Sequence, residues 1–141
     1  MGSRHTGRKL AMQLLYQAES QNIEDITDII NDYLVMGNYQ EETKSWAQTL
    51  ARGVWKSKKE NDSIIKQYLK GWDINRINRI DLSLLRLAFF EMIELKTPQT
   101  IVINESLELA KKYSTDDSSK FINGILGTYV KNQCSPDLSK D

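Results

Sequence analysis

The chain has 141 residues, of which 40% are hydrophobic and 27% are charged, as is typical of one compact domain with its own core. Basic and acidic residues both number 19, so no overall positive charge attracts nucleic acid. The single cysteine, Cys134, excludes an internal disulfide, and the single histidine, His5, excludes a histidine-rich metal site. No apolar segment approaches the roughly 18 residues that span a membrane, so we expect a cytoplasmic protein.

The charges are unevenly distributed along the chain. Residues 1–18 contain Arg4, Arg8 and Lys9 but no acid, whereas residues 19–42 contain seven acids and no base. Residues 52–70 again carry six bases against two acids. This alternation predicts a basic face for phosphate and an acidic face for a basic partner, although ordinary surface clustering would give the same pattern.

Apolar residues spaced three and four positions apart predict four helices in the first half of the chain. The fourth is short and has polar residues suited to its N-cap at 61–63. Glycines are expected to end the second and fourth helices. The predicted segments are about 7–20, 26–34 ending at Gly37, about 41–58, and 64–69 ending at Gly71.

The segment 80–95 differs because apolar residues cover nearly every face. It is too short to span a membrane, so it is predicted to be the buried central helix of a bundle, ended by Thr97 and Pro98. Two further helices are expected over about 100–113 and from about 114–117 to 131. The fold class is therefore all-α, with one domain over residues 1–133 and a mobile tail over 134–141.

Few residues in this sequence are arranged in a pattern that indicates catalysis. Gly124 and Gly127 lie within a helical pattern rather than in a phosphate-binding loop. The paired carboxylates, such as Asp116 and Asp117, have polar neighbours that would not raise a pKa for general acid catalysis. Cys134 has no histidine near it in sequence. We therefore expect a protein that is not an enzyme and has no cofactor and no metal site.

Three features suit the binding of single-stranded RNA. Arg4 and Arg8 are four residues apart in a basic N-terminal arm and would share a helix face. Tyr16 lies one step from the apolar stripe of the first helix. Residues 118–121 place backbone N–H groups, a cation and an aromatic ring at the start of the last helix, where phosphate and an unpaired base could bind. Each feature also has a structural interpretation, namely a disordered arm, half-buried packing of Tyr16 and a core position for Phe121.

Four segments together resemble the NusB family of bacterial transcription antitermination proteins. They follow the family's order and spacing from about residue 4 to residue 131, and the two C-terminal segments are the most specific. The segments are 8–16 (RKLAMQLLY), 84–88 (LLRLA) with Glu91 after it, 103–113 (INESLELAKKY) and 118–126 (SSKFINGIL).

The resemblance implies about seven helices in two small packed bundles, which would comprise residues 4–59 and 60–133. It also implies a function. NusB proteins bind boxA, a short single-stranded element of nascent ribosomal RNA, together with NusE, a protein of the small ribosomal subunit. The complex joins RNA polymerase and suppresses premature termination. Both monomers and homodimers are compatible with the resemblance.

The resemblance further implies two sets of site residues. The start of the chain is less arginine-rich than in many members, and Ser119 stands where a histidine is common. Arg86 has a second interpretation, an intramolecular ion pair with Asp81, Glu91 or another acid, because an unpaired buried charge is costly. The RNA-binding set is Arg4, Arg8, Lys9, Tyr16, Lys120 and Phe121, and the NusE-binding set is Tyr16, Asp81, Arg86 and Asp117.

Two alternative functions remain open at the level of sequence. The first is the NusB-like RNA-binding domain of a ribosomal RNA cytosine methyltransferase, whose chain would continue into a catalytic domain. The second is a helical protein interaction scaffold that uses the acidic segment 19–42 and does not retain RNA.

Overall fold

The computed structural model describes residues 2–134, which form seven α-helices and no β-strand. The all-α prediction is confirmed. No helix within this range is long and apolar enough to cross a membrane. The helices are α1 (Gly2–Gln21), α2 (Thr27–Met36), α3 (Glu41–Lys56), α4 (Lys58–Lys66), α5 (Arg79–Ile93), α6 (Gln99–Tyr113) and α7 (Asp116–Cys134).

Two helix starts differ from the sequence prediction. Helix α1 begins at Gly2 rather than near residue 7, so the expected basic arm is the first turns of a helix. Helix α4 begins at Lys58, directly after Ser57, and ends before Tyr68. A 3₁₀ turn over Ile74–Arg76 then leads into α5. The expected tail lies outside the described residues, except that α7 extends through Cys134.

The buried apolar residues form two clusters. The N-terminal cluster is built mainly from α1, α2 and α3, and the C-terminal cluster from α4 to α7. Helix α5 belongs to both, because Leu87 and Phe90 pack in the first cluster while Leu85 and Phe89 pack in the second. The division into bundles near residue 59 stays a prediction, and α5 joins the two clusters through these residues.

Helix α5 is the central helix of the structure. Its N-cap is Asn78, whose side-chain oxygen accepts hydrogen bonds from the backbone N–H groups of Ile80 and Asp81. Every residue from Asp81 to Met92 is buried, including the charged residues Asp81, Arg86 and Glu91. Burial of a charge is costly unless it is paired, so the partners of these residues fix how the other helices pack.

Helices α3 and α5 approach closely at a glycine. A Cβ atom added to Gly53 would lie 2.1 Å from Cζ of Phe90, which is well inside van der Waals contact. Phe90 is 5% exposed, and protein interiors are packed closely enough that a buried ring resists displacement. The absence of a side chain at Gly53 therefore permits the contact between α3 and α5.

Replacing Gly53 with alanine should lower the free energy of unfolding by about 1–3 kcal/mol, because the added methyl group overpacks the site against Phe90. Urea denaturation measures this loss. Gly124→Ala in α7 is the matched control, since its Cβ would meet no atom within 4 Å and alanine favours a helix. Equal denaturation midpoints for the two variants would contradict the close contact.

Candidate nucleic-acid interface

The first turns of α1 are packed against α3 rather than free in solution. The guanidinium of Arg4 lies 3.9 Å from the centroid of the Trp46 ring, and Ser3 Oγ donates a hydrogen bond to Glu42 Oε1 at 3.2 Å. Arg4 is nevertheless exposed. The contact with Trp46 holds the cation in place while leaving its outer side accessible to a phosphate.

Arg8 lies on the same face of α1 but is buried, with 6% of its surface exposed. Its Nε and Nη2 donate hydrogen bonds to Glu91 of α5 at 2.8 and 2.9 Å, and Nη1 lies 3.7 Å from Glu105 of α6. Burial disfavours the charged form, but the hydrogen bond and attraction to Glu91 outweigh it and raise the pKa of Arg8. Its guanidinium, expected to contact phosphate, instead joins α1 to α5 and α6.

Two further residues of α1 lie seven positions apart and therefore on one side of the helix. Lys9 is half-buried, whereas Tyr16 is exposed, with 43% of its surface accessible. The interpretation of Tyr16 as half-buried packing is thus not what the structure shows. An exposed aromatic ring offers a face on which an unpaired base can stack.

The start of α7 does not offer the backbone donors that were expected at residues 118 and 119. The N–H of Ser118 donates to Thr115 Oγ1 at 2.9 Å, and the N–H of Ser119 donates to the Thr115 carbonyl at 3.1 Å. Both serines are buried, and Asp116 and Asp117 add negative charge to the first turn. A phosphate would therefore depend on the exposed Lys120 rather than on these N–H groups.

Phe121 is half-buried, between the core position and the exposed position that the sequence left open. Its ring packs against the C-terminal cluster and contacts Trp72 edge-on, with centroids 5.8 Å apart and an interplanar angle of 66°. The two rings line a concavity of about 280 Å³, together with Asp81 and Asp117. Lys120 lines a different concavity with Lys111.

The carboxylate of Asp81 is committed to the junction between α5 and α7. It accepts hydrogen bonds from Ser114 Oγ at 2.9 Å and from Ser118 Oγ at 2.7 Å. Asp81 is 5% exposed and lines the concavity. Asp117, in the first turn of α7, also lines it and is exposed. Asp81 thus positions the start of α7, and Asp117 is free to face a partner.

Arg86 forms an intramolecular ion pair, as its second interpretation expected, but with other acids than Asp81 and Glu91. Its Nε and Nη2 each bind Asp62 at 2.8 Å, and its Nη1 binds Glu19 at 2.7 Å. The pKa of Arg86 is raised, because these bonds outweigh the cost of burial. Arg86 is 7% exposed and connects α5 to α4 and α1.

One group of side chains within residues 2–134 has spacing suited to a metal ion. Ligand atoms of His5, Glu105 and Glu108 lie within 4.8 Å of one another. In the structure, His5 Nδ1 is hydrogen-bonded to Glu105 at 2.9 Å, and the charge of Arg8 lies 3.7 Å from the same carboxylate. That charge competes with a cation, and the absence of a metal site stays a prediction.

Comparisons with known proteins identify the family. The family model described as "NusB family" matches residues 5–131. The transcription antitermination protein NusB of Acetivibrio thermocellus is 41% identical over 91% of this chain and 88% of that protein. The NusB protein of Geobacter sulfurreducens is 39% identical over 89% of this chain and 92% of its own length.

The chain belongs to the NusB family.

Solved structures agree with this assignment. NusB from T. maritima is 33% identical and superposes with a TM-score of 0.82 over 91% of this chain and 90% of that one. A NusB chain from a complex of "antitermination factors NusB and NusE" with dsRNA is 26% identical, with a TM-score of 0.79 over 93% of this chain and 98% of that one. The resemblance to the NusB family is confirmed. The prediction that the protein is not an enzyme is also confirmed, because its relatives are transcription antitermination proteins.

Sequence reasoning missed Trp72 and the partners of the buried arginines. Trp72 follows Gly71 and lies outside any apolar stripe. A large aromatic residue that no helical pattern buries was the signal that could have identified it as a binding residue. The acids that are hydrogen-bonded to Arg8 and Arg86 lie 24 to 83 residues away in the chain. No local pattern in a single NusB sequence connects residues at such separations.

Replacing Glu91 with glutamine should leave Arg8 buried beside α5 without its hydrogen-bonded counter-charge, so that Glu105, 3.7 Å away, is the remaining acid. We expect the free energy of unfolding to fall by about 3 kcal/mol or more, because the remaining charge stays desolvated. Urea denaturation of this NusB protein measures the loss. Glu41→Gln is the control, since its pair with Lys44 is solvent-exposed and should contribute little. A small effect at Glu91, similar to that at Glu41, would show that the ion pair does not hold α1.

Proposed function

We propose that this NusB protein binds single-stranded boxA RNA of nascent ribosomal RNA transcripts together with NusE. In this proposal the two proteins join the RNA polymerase elongation complex in the cytoplasm and suppress premature termination. The observation that carries the proposal is the similarity, across 93% of this chain, to a chain of a solved complex of NusB and NusE with dsRNA. The preference for a single strand is part of the proposal and rests on the aromatic rings of this chain.

Exposed and half-buried side chains support an RNA-binding surface on α1 and α7. Arg4, Lys9 and Lys120 are the cations available for phosphate, and Tyr16 and Phe121 are the rings available for stacking. Unpaired bases stack on aromatic rings, and cations hold the adjoining phosphates. We assign Arg8 a positioning role, because its guanidinium is occupied by Glu91 and holds α1 in place.

The surface proposed for NusE divides in the same way. Tyr16 and Asp117 are exposed and would contact the partner directly. Asp81 and Arg86 are buried and paired within the chain, so they would act by fixing the start of α7 and the packing of α1 against α5. The NusE site thus depends on two contact residues and two positioning residues.

The balance of charge explains why a partner is required. Basic and acidic residues are equal in number, and the proposed surface on α1 and α7 offers three exposed or half-buried cations, Arg4, Lys9 and Lys120, for phosphate contacts. Three such contacts would give a slope of about −2 for the logarithm of the binding constant against the logarithm of salt concentration on single strands. That electrostatic contribution is modest, and a basic partner would add to it.

Fluorescence anisotropy with a labelled boxA 12-mer tests the proposal. We expect weak binding by this protein alone and markedly tighter binding after NusE is added, because the partner contributes further cations and contacts. A scrambled 12-mer and a duplex of the same sequence are the controls. Equal affinity with and without NusE would contradict joint binding, and equal affinity for the duplex would contradict recognition of a single strand.

A further inference from the structure

The side chain of Trp72 is the largest exposed apolar group among residues 2–134. Its exposed fraction is 63%, whereas the other two tryptophans, Trp46 and Trp55, are half-buried and buried. An exposed indole contributes little to the core, and large exposed aromatic groups mark binding surfaces. Trp72 lies outside the residues proposed above for the RNA-binding surface on α1 and α7.

The backbone holds Trp72 in a defined position between two anchored residues. Leu69 and Ile74 on either side are buried in the C-terminal cluster. Lys70 and Gly71 have φ angles of 50° and 92°, and the N–H of Trp72 donates to the Leu69 carbonyl at 3.1 Å. The left-handed conformation at Gly71 is one that side chains rarely adopt, so the turn is built around this glycine. Trp72 is therefore presented by a fixed turn.

The rings of Trp72 and Phe121 line a slot that is open to solvent. Trp72 and Phe121 meet at 66°, and the concavity that they line, with Ile77 among its apolar residues, measures about 280 Å³. Pockets for whole small molecules measure about 300–1,000 Å³, so this slot suits one planar ring system. Asp117 at its rim is an acceptor for the N–H groups of a base.

The charges beside the slot complement a nucleic acid. Arg76 lines this concavity and also the neighbouring one beside Trp72, where Lys70 and Asp73 lie as well. The Asp73 carboxylate accepts a hydrogen bond from the Asn75 N–H at 2.9 Å. Both cations are exposed, and within the described part of the chain the structure records no ion pair for either of them. A ring flanked by unpaired cations matches a base and its phosphates better than an apolar protein side chain.

We propose that Trp72 and Phe121 together bind one unpaired RNA base, with Arg76 contacting the adjoining phosphate. This inference rests on the proposed RNA-binding function and extends the RNA-binding surface from α1 and α7 to the connection between α4 and α5. It adds a stacking site that Tyr16 and Phe121 alone do not provide.

Trp72→Ala, Trp72→Phe and Val35→Ala test this site in the full chain. Anisotropy with a single-stranded, uridine-rich 12-mer RNA and with the boxA 12-mer measures affinity, with and without NusE. Trp72→Ala should weaken RNA binding about 5- to 100-fold, as loss of one base stack predicts, while its salt dependence stays unchanged. Trp72→Phe should restore most of the affinity. Val35→Ala, an exposed apolar residue on the acidic α2, should bind as the wild type does.

Three further readouts separate the outcomes. Melting temperatures of the Trp72 variants should match the wild type, because the side chain is mostly exposed. Arg76→Ala should lower the salt slope by about 0.7. Unchanged RNA affinity in Trp72→Ala would overturn the site, and a loss of NusE binding without a loss of RNA binding would reassign Trp72 to a protein contact. Failure of the wild-type protein to bind either RNA would instead overturn the proposed function.

Discussion

The buried ion pair between Arg8 and Glu91 is the interaction on which the candidate interface depends. It fixes α1 against the central helix α5, and Glu105 of α6 extends the contact to a third helix. A second buried arginine, Arg86, binds α5 to α4 and α1 through Asp62 and Glu19. Because both guanidinium groups are buried, removing one of their acids leaves a desolvated cation with a single remaining acidic partner.

These pairs explain how a chain of zero net charge keeps some of its cations free for a partner. Several acids of the chain face inward and neutralise Arg8 and Arg86, while Arg4 and Lys120 remain exposed. The acidic residues of α2 lie on another part of the chain. The internal pairing sets the position of α1, and the position of α1 sets where Arg4 and Tyr16 face solvent.

The sequence was sufficient to predict the helical class and the central helix, because apolar periodicity reports directly on burial. Segment 80–95 has apolar residues on nearly every face, and α5 is buried accordingly. The start of α1 was not predictable, since its first turn is held by Trp46 and Glu42, residues of another helix. For the same reason, Arg8 was expected to contact phosphate, and the ion pair expected for Arg86 could not be assigned to Asp62 and Glu19 from the sequence.

The central claim is that α1 and the start of α7 form the RNA-binding surface of a protein that performs no chemistry on the RNA. Ultraviolet crosslinking of boxA RNA to the protein, in the presence of NusE, followed by mass spectrometry of the crosslinked peptides, tests this most directly. The account predicts crosslinks at Tyr16 and Phe121. Crosslinks confined to α2, or none in the peptides that contain Tyr16 and Phe121, would contradict it.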